Sequence, residues 1–302
     1  MTYDPTFRVG VIGAGRVGAV LAAALRTAGH EIVATAGESD ASRRRIDALL
    51  PGVRVAKPTD VARASELLLL TVPDDMLSNV VTVLSHSGAI REGMVVVHTS
   101  GRHGLAVLEP AREVGARTIA MHPAMTFTGT EVDLPRLAGC VFGVTADDDD
   151  RELAEALVAD LGGRAMWVPE DRRTMYHAGL AHGANHLVTL ITEAMEILSA
   201  AGAADPAATL RPLLTAALDN ALEHGDAALT GPIVRGDVET VRAHVTDLAA
   251  NAPQTLSSYV AMARATLDRA VTDGRLLPIR ATKMLRVLAD AEASAILHRQ
   301  PR

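Results

Sequence analysis

From Phe7 to about Val168, short apolar runs alternate with helical stretches. The runs are Arg8–Ile12, Glu31–Thr35, Arg54–Ala56, Leu67–Val72, Met94–Thr99, Thr118–Met121, Val141–Val144 and Ala165–Val168. Several are apolar at nearly every position, the pattern of parallel strands covered on both faces. Strands alternating with helices build βαβ units, so this part predicts a doubly wound parallel sheet. After Val168 the strand pattern stops. Arg172–Ala200, Pro206–His224, Asp237–Ala249, Ala252–Asp273 and Arg280–Leu297 read as helices, punctuated at Gly202, Gly225, Gly231–Pro232, Gly236, Pro253, Gly274 and Pro278. The prediction is an α/β domain over residues 1–169, then an all-α domain over residues 170–302.

The strongest local signal joins the first strand to the first helix: Val9-Gly10-Val11-Ile12-Gly13-Ala14-Gly15-Arg16-Val17-Gly18-Ala19. Three glycines alone say little. Here they follow an apolar strand and open an Ala/Leu-rich helix, the context a dinucleotide-binding turn requires. Gly13 permits the tight turn, Gly15 lets backbone approach a pyrophosphate, and Gly18 allows close packing of the helix. The unpaired N–H groups at the helix start then meet phosphate charge, with Ala14, Arg16 and Val17 expected beside the cofactor. This is the opening unit of a Rossmann fold.

The end of the second strand selects between dinucleotides. An NAD site usually places Asp or Glu there for the ribose 2′-hydroxyl. This chain reads Ile32-Val33-Ala34-Thr35-Ala36-Gly37, followed by Glu38, Ser39, Asp40, Ser42, Arg43, Arg44 and Arg45. Hydroxyl and guanidinium donors suit a 2′-phosphate. Ser39 and Arg43 are the expected ligands and NADP the expected cofactor; Glu38 and Asp40 keep NAD as the alternative. The arginines equally suit a solvated helix face.

Ligands of an open α/β sheet lie beyond the carboxyl ends of its strands. There the chain carries Val72-Pro73-Asp74, His98-Thr99-Ser100-Gly101 and His122-Pro123, with Thr126 and Phe127 beyond. Val72, Pro73 and Thr99 are expected beside the cofactor. Ser100 is expected to orient a substrate carboxylate or carbonyl, and His98 and His122 to exchange protons near neutral pH; hydrogen-bonded core imidazoles are the alternative. The first long helix of the second half adds Tyr176, His177, His182, Asn185 and His186. His177 and Asn185 lie two turns apart on nearly one face. His182 and His186 have the spacing of a metal-binding pair, but no Glu follows His182 and no third ligand is evident, so no metal is expected. Thr230–Asp237 reads as a rigid turn ending in the N-cap Asp237. Arg235 either belongs to this connection or reaches an anionic substrate.

Composition narrows the class. The net charge is −7 with dispersed basic residues, which argues against nucleic acid and against a basic membrane-binding face. The 48% hydrophobic content suits a chain that buries large cores. One cysteine, Cys140, allows no internal disulfide, and a reducing cytoplasm is expected. Met1–Phe7 has no signal-peptide core, and Leu67–Val72 falls far short of the roughly 20 residues that span a bilayer.

Taken together, the glycine loop, Val72-Pro73-Asp74, His98-Thr99-Ser100-Gly101, His122-Pro123 with Thr126-Phe127, and Thr230-Gly231-Pro232-Ile233-Val234-Arg235-Gly236-Asp237 resemble a bacterial family. It is the Rossmann-like, oxidoreductase-like family with a conserved C-terminal domain, and the resemblance covers essentially the whole chain. The wider superfamily is similar to ketopantoate reductases, pyrroline-5-carboxylate reductases and β-hydroxyacid dehydrogenases. The resemblance implies NAD(P)-dependent reduction of a small carbonyl or imine, with a 2-oxo acid of the ketopantoate type as the named candidate, and a helical domain that forms a homodimer. In two of those relatives the first long helix supplies Lys one turn before Asn. If Asn185 is that Asn, the Lys position holds Ala181. The expected machinery is then Ser100 and Asn185 orienting the substrate and His177 giving the proton, with His122, His182 and Arg235 as further substrate contacts. A non-catalytic NADP-binding module and a reductase using reduced deazaflavin are the alternatives.

Overall fold

The computed structural model of this chain describes residues 6–37 and 39–298. Glu38 and most of Met1–Phe7 lie outside the described residues. Two compact units form, Met1–Ala181 and His182–Arg302.

The first unit is built on seven strands: β1 (Arg8–Ile12), β2 (Glu31–Ala36), β3 (Leu67–Leu70), β4 (Val95–His98), β5 (Arg117–Pro123), β6 (Val141–Ala146) and β7 (Arg164–Trp167). Their order is β2-β1-β3-β4-β5-β6-β7. Its helices are α1 (Arg16–Thr27), α2 (Asp40–Leu49), α3 (Pro58–Ala64), α4 (Asp74–His86), α5 (Glu109–Glu113) and α6 (Arg151–Asp160). The four leucines of β3 show why these runs form strands. Leu67 and Leu69 join Leu21 and Leu25 of α1 in one core, whereas Leu68 and Leu70 join Leu77, Val81 and Leu84 of α4 in the other. Each fully buried leucine contributes about 1.5–3 kcal/mol, so a short strand covered on both faces holds.

Two expectations are corrected. Arg54–Ala56 is no strand: Val55 makes a single parallel bridge to Thr35. Thr35 N–H donates to the Arg54 carbonyl and Ala56 N–H to that of Thr35, both at 2.9 Å. The segment therefore lies where an outer strand beside β2 would run, but Val55 is 47% exposed and has no apolar cover to extend the pairing. Nor is the sheet parallel throughout, because β6 runs antiparallel to β5, with His122 opposite Gly143. At the β7 edge Trp167 stacks under the Arg151 guanidinium, 3.9 Å from the ring centre, and donates to Glu155 at 3.1 Å.

Beyond β7 lie α7 (Arg173–Ala200), α8 (Pro206–His224), α9 (Pro232–Arg235), α10 (Val238–Asn251), α11 (Leu256–Thr272) and α12 (Pro278–His298), and the division between units falls within α7. In the second unit Val241, Val245, Leu256, Val260, Leu267, Met284 and Leu288 form the core, with Ile197 of α7 against it. The turn over Thr230–Asp237 contains the one-turn α9, bounded by Gly231 and Gly236 at φ +96° and +72°. Asp237 precedes α10 but its side chain makes no cap bond. In contrast to this core, α8 buries only Leu210.

Candidate functional site

Strand order turns at β1, with β2 on one side and β3 on the other, and the glycine loop leaves β1 at that switch point. Gly13 has φ +96°, and a Cβ on it would stand 2.7 Å from the Thr71 carbonyl oxygen. Thr71 Oγ1 donates to the Gly13 carbonyl at 2.6 Å. A Cβ on Gly18 would collide with the same hydroxyl, so Thr71 locks the loop and the first turn of α1 together. A Cβ on Gly15, by contrast, would meet only the Gly13 carbonyl at 3.8 Å. The space over Gly15 is open where backbone must approach a pyrophosphate. The first N–H groups of α1 have no partner within the helix. Ala14 is fully buried, Val17 is half-buried and Arg16 is exposed. The loop thus fits a dinucleotide phosphate on geometry that the structure shows.

Beyond β2, Ser39 caps α2: its hydroxyl accepts from Ser42 N–H at 3.1 Å and donates to Ser42 Oγ at 3.0 Å. Arg43 is exposed. A cleft of about 540 Å³ runs along α2, lined by Arg44, Arg45, Thr128, Gly129 and Glu131. Gly129 abuts both Arg16 and Arg45, where a Cβ would stand 2.7 Å from Arg45 Nε and 3.0 Å from Arg16 Cγ. Buried Asp133 holds this turn through Thr128 N–H at 2.8 Å and Gly129 N–H at 2.7 Å. Those hydrogen bonds hold its carboxyl below the usual range although burial opposes them. No apolar or glycine pattern in the sequence marks Asp133.

The ends of β4 and β5 and the start of α7 gather the remaining groups. Val72 and Thr99 are half-buried and Pro73 is exposed. His98 is fully buried, with Nε2 2.8 Å from the Gly104 carbonyl and Nδ1 accepting from Ser100 N–H at 3.1 Å. Burial pushes its pKa down to about 3, and the nearby Arg173 charge adds to this. His98 is therefore a neutral imidazole that shapes the loop, and the expected proton exchange at neutral pH does not hold for it. Ser100 Oγ accepts from His103 N–H at 3.1 Å, leaving its own O–H to donate. His122 Nδ1 lies 3.0 Å from Tyr176 Oη, and the two rings meet edge to face. Burial, then His177 and Arg173, push the His122 pKa down to about 4. The His177 ring stands edge to face with His122 at 5.7 Å. Both pack on Gly101, where a Cβ would be 2.5 Å from His177 Cδ2 and 3.1 Å from His122 Nε2. Glycine at position 101 is what lets both imidazoles reach the rim.

Beneath this cluster lies Arg173, 0% exposed. Its Nη2 donates to the Ser100 carbonyl at 2.7 Å, and Nη1 to Thr145 Oγ1 at 3.0 Å and the Gly143 carbonyl at 3.3 Å. Arg173 thus ties the end of β4 to β6. Glu170 accepts from Leu105 and Ala106 N–H at 2.7 and 3.1 Å, which fixes the following turn. Sequence reading missed Arg173: it follows Arg172 in a polar stretch, and nothing there tells which of the two is buried.

Asn185, His182 and His186 belong to the second unit and are exposed. His182 and His186 contact each other, Nδ1 to Nδ1 at 2.9 Å. No group of three metal-ligating side chains is found among the described residues. Arg235 is held by Asp237, with Nη2 2.9 Å and Nε 3.0 Å from the same carboxylate oxygen. That pairing is the structural reading of the turn. No described helix is long and apolar enough to cross a membrane.

Residues 2–123 match the family described as a Rossmann-like domain, and residues 140–266 the domain of unknown function DUF2520. No curated protein matches the chain. Solved structures share its fold at low identity. A Bacteroides fragilis protein assigned as an NADP oxidoreductase is 22% identical, covers 87% of this chain and 98% of its own, and has a TM-score of 0.75. An imine reductase from Myxococcus stipitatus, in complex with NADP+, is 17% identical over 93% of this chain and 100% of its own, TM-score 0.62. The Plasmodium falciparum pyrroline carboxylate reductase with NADP bound is 11% identical over 92% and 98%, TM-score 0.56. The DUF2520 match begins at β6, so it takes in the last strands of the sheet, Arg173 and Tyr176 as well as helices.

Proposed function

We propose that this protein is an NADP-dependent reductase of a small carbonyl or imine compound. The observation that carries the reading is the shared sheet edge, where the open Gly13–Gly18 loop follows β1, Ser100 follows β4 and His122 ends β5, with Tyr176 and His177 of α7 packed on His122. NADP in fold relatives supports it. Bound there, the dinucleotide supplies a hydride. Gly13 to Gly18 hold its pyrophosphate, with Val72, Pro73 and Thr99 alongside. Arg43 and Ser39 face its 2′-phosphate. Ser100 donates its hydroxyl to the substrate heteroatom, and an imidazole of the His122–His177 pair returns the proton. A 2-oxo acid of the ketopantoate type is the first substrate to try.

Direct titration should give NADP at least about tenfold tighter binding than NAD, about 1.4 kcal/mol. Arg43→Ala should erase most of that difference. Binding without NADPH oxidation across 2-oxo acids and cyclic imines would instead favour a non-catalytic dinucleotide sensor, the reading that Ala181 supports. A failure to bind either dinucleotide removes both.

The helical half supports a homodimer. On α8, Leu213, Leu218 and Leu222 are 65%, 50% and 79% exposed, and Val188 on α7 is 65% exposed. Leu218 and Leu222 are one turn apart on one face. Apolar groups in that density mark an interface, and closed two-fold pairing is the commonest way to cover one. Leu218→Glu/Leu222→Glu is expected to turn a dimer into a monomer by light scattering; unchanged mass would remove α8 from the interface.

A further inference from the structure

Among the described side chains at the sheet edge, Tyr176 and His122 form a half-buried pair in which two proton-bearing groups meet directly. We infer that His122 and Tyr176 act as a proton relay, with His122 Nε2–H as the donor to substrate, and that the substrate is a carbonyl rather than an imine. This rests on the reductase reading above and deepens it.

Tyr176 Oη is 3.0 Å from His122 Nδ1 and 3.4 Å from the His122 carbonyl. In the relay the shorter contact has Nδ1 accepting the phenolic O–H, and a neutral ring whose Nδ1 accepts carries its hydrogen on Nε2. Nε2 faces Gly101, on which the His177 ring also packs. His177 and Arg173 on α7 and Asp74 on α4 are the charged or titratable groups around the ring. His177 has only the ring contact with His122 to orient it, whereas a hydrogen bond orients His122.

A neutral imidazole gives up a proton only if another replaces it. Tyr176 does so. As the carbonyl carbon accepts a hydride from the NADPH of the proposed reaction, its π pair moves to oxygen. The Nε2–H bond breaks as the product O–H forms, and the Tyr176 O–H bond breaks as its proton passes to Nδ1. The negative charge ends on the phenolic oxygen, where burial raises the Tyr176 pKa and the nearby Arg173 charge opposes that rise. Arg173 has no carboxylate among its hydrogen-bond acceptors, and its Nε has no partner. A solvent proton taken up at Nε2, with return of the Nδ1 proton to the phenolate, then restores both His122 and Tyr176. An alkoxide is more basic than a phenolate, so the relay runs downhill for a carbonyl. An imine nitrogen is more basic than a carbonyl oxygen and takes its proton before the hydride arrives, so its reduction calls for no proton relayed from a tyrosine.

Nitrogen-15 NMR of the imidazoles in the protein alone, assigned by the signal lost in His122→Gln, should show His122 as the Nε2–H tautomer at pH 7. An Nδ1–H tautomer overturns the relay whatever becomes of the reductase reading. Tyr176→Phe should lower carbonyl kcat about a hundredfold, leave NADP affinity within about twofold, and shift the His122 nitrogens. Undiminished carbonyl turnover in that variant, or a protein that reduces imines only, overturns the relay and leaves the reductase standing. Loss of NADP binding in the unaltered protein overturns both.

Discussion

Gly13→Ala is expected to abolish dinucleotide binding, with a loss of at least about a hundredfold, or about 2.7 kcal/mol. Two effects add. Gly13 sits at φ +96°, where an L side chain is strained, at a cost of about 1–3 kcal/mol. Its Cβ would also stand 2.7 Å from the carbonyl carbon and oxygen of Thr71 and 2.8 Å from Val72 N, all main-chain atoms that cannot rotate away. The loop must therefore lift from β3, which breaks the Thr71–Gly13 hydrogen bond and displaces the open helix start. Gly15→Ala is the informative contrast. Its Cβ meets nothing closer than 3.8 Å, so the free protein keeps its stability while the methyl stands where phosphate approaches. Calorimetric binding with thermal melts checks both: Gly13→Ala should lose affinity and Tm, Gly15→Ala affinity alone. Equal NADP affinity in all three proteins would remove the glycine loop from the cofactor site.

Acid is expected to unfold the first unit early, and His98 should account for the largest share. An exposed His in the unfolded chain titrates near 6.5, whereas His98 in the folded protein is pushed down to about 3 by burial. The folded state thus binds fewer protons, and stability rises with pH through that window. It is complete above about 6.5 and is lost as the pH falls toward 3, at about 1.4 kcal/mol per pH unit for one proton. The full effect is on the order of 5 kcal/mol, a large fraction of a typical domain's stability. His122, pushed down to about 4, adds in the same direction, but it is partly exposed and solvent screening reduces its share. His98→Gln keeps a donor toward the Gly104 carbonyl and cannot titrate. Urea unfolding from pH 4 to 7 should show its slope reduced by about one proton relative to the unaltered protein. An identical slope would mean that His98 is protonated in the folded state.

Much of the fold was legible because burial on two faces writes itself into consecutive positions. Leu67–Leu70 and Val95–Val97 are examples, and the glycine loop is legible because its turn tolerates few residues. Arg54–Ala56 looked like a strand because two of its three residues are apolar; what decides the matter is cover, and that is not local. The reversed direction of β6 was hidden for the same reason, since an apolar run has no arrow. At the sheet edge, His98 and His122 read alike as histidines ending strands. Only the packing separates them, enclosing one entirely and opening the other toward Gly101. Arg172 and Arg173 make the point most sharply, one 70% exposed in its side chain and the other fully buried. Ser39, expected at the 2′-phosphate, also caps α2 with its hydroxyl, a local role that the sequence does show in a Ser just ahead of a helix.

Trp167 has a practical consequence. It is the sole tryptophan of the chain and lies in β7 of the first unit, under Arg151 and bonded to Glu155. Its fluorescence therefore reports on the sheet unit alone, while circular dichroism registers the helices of both. Following the two signals through one denaturation separates the stability of the dinucleotide half from that of the helical half, without cutting the chain or adding a label.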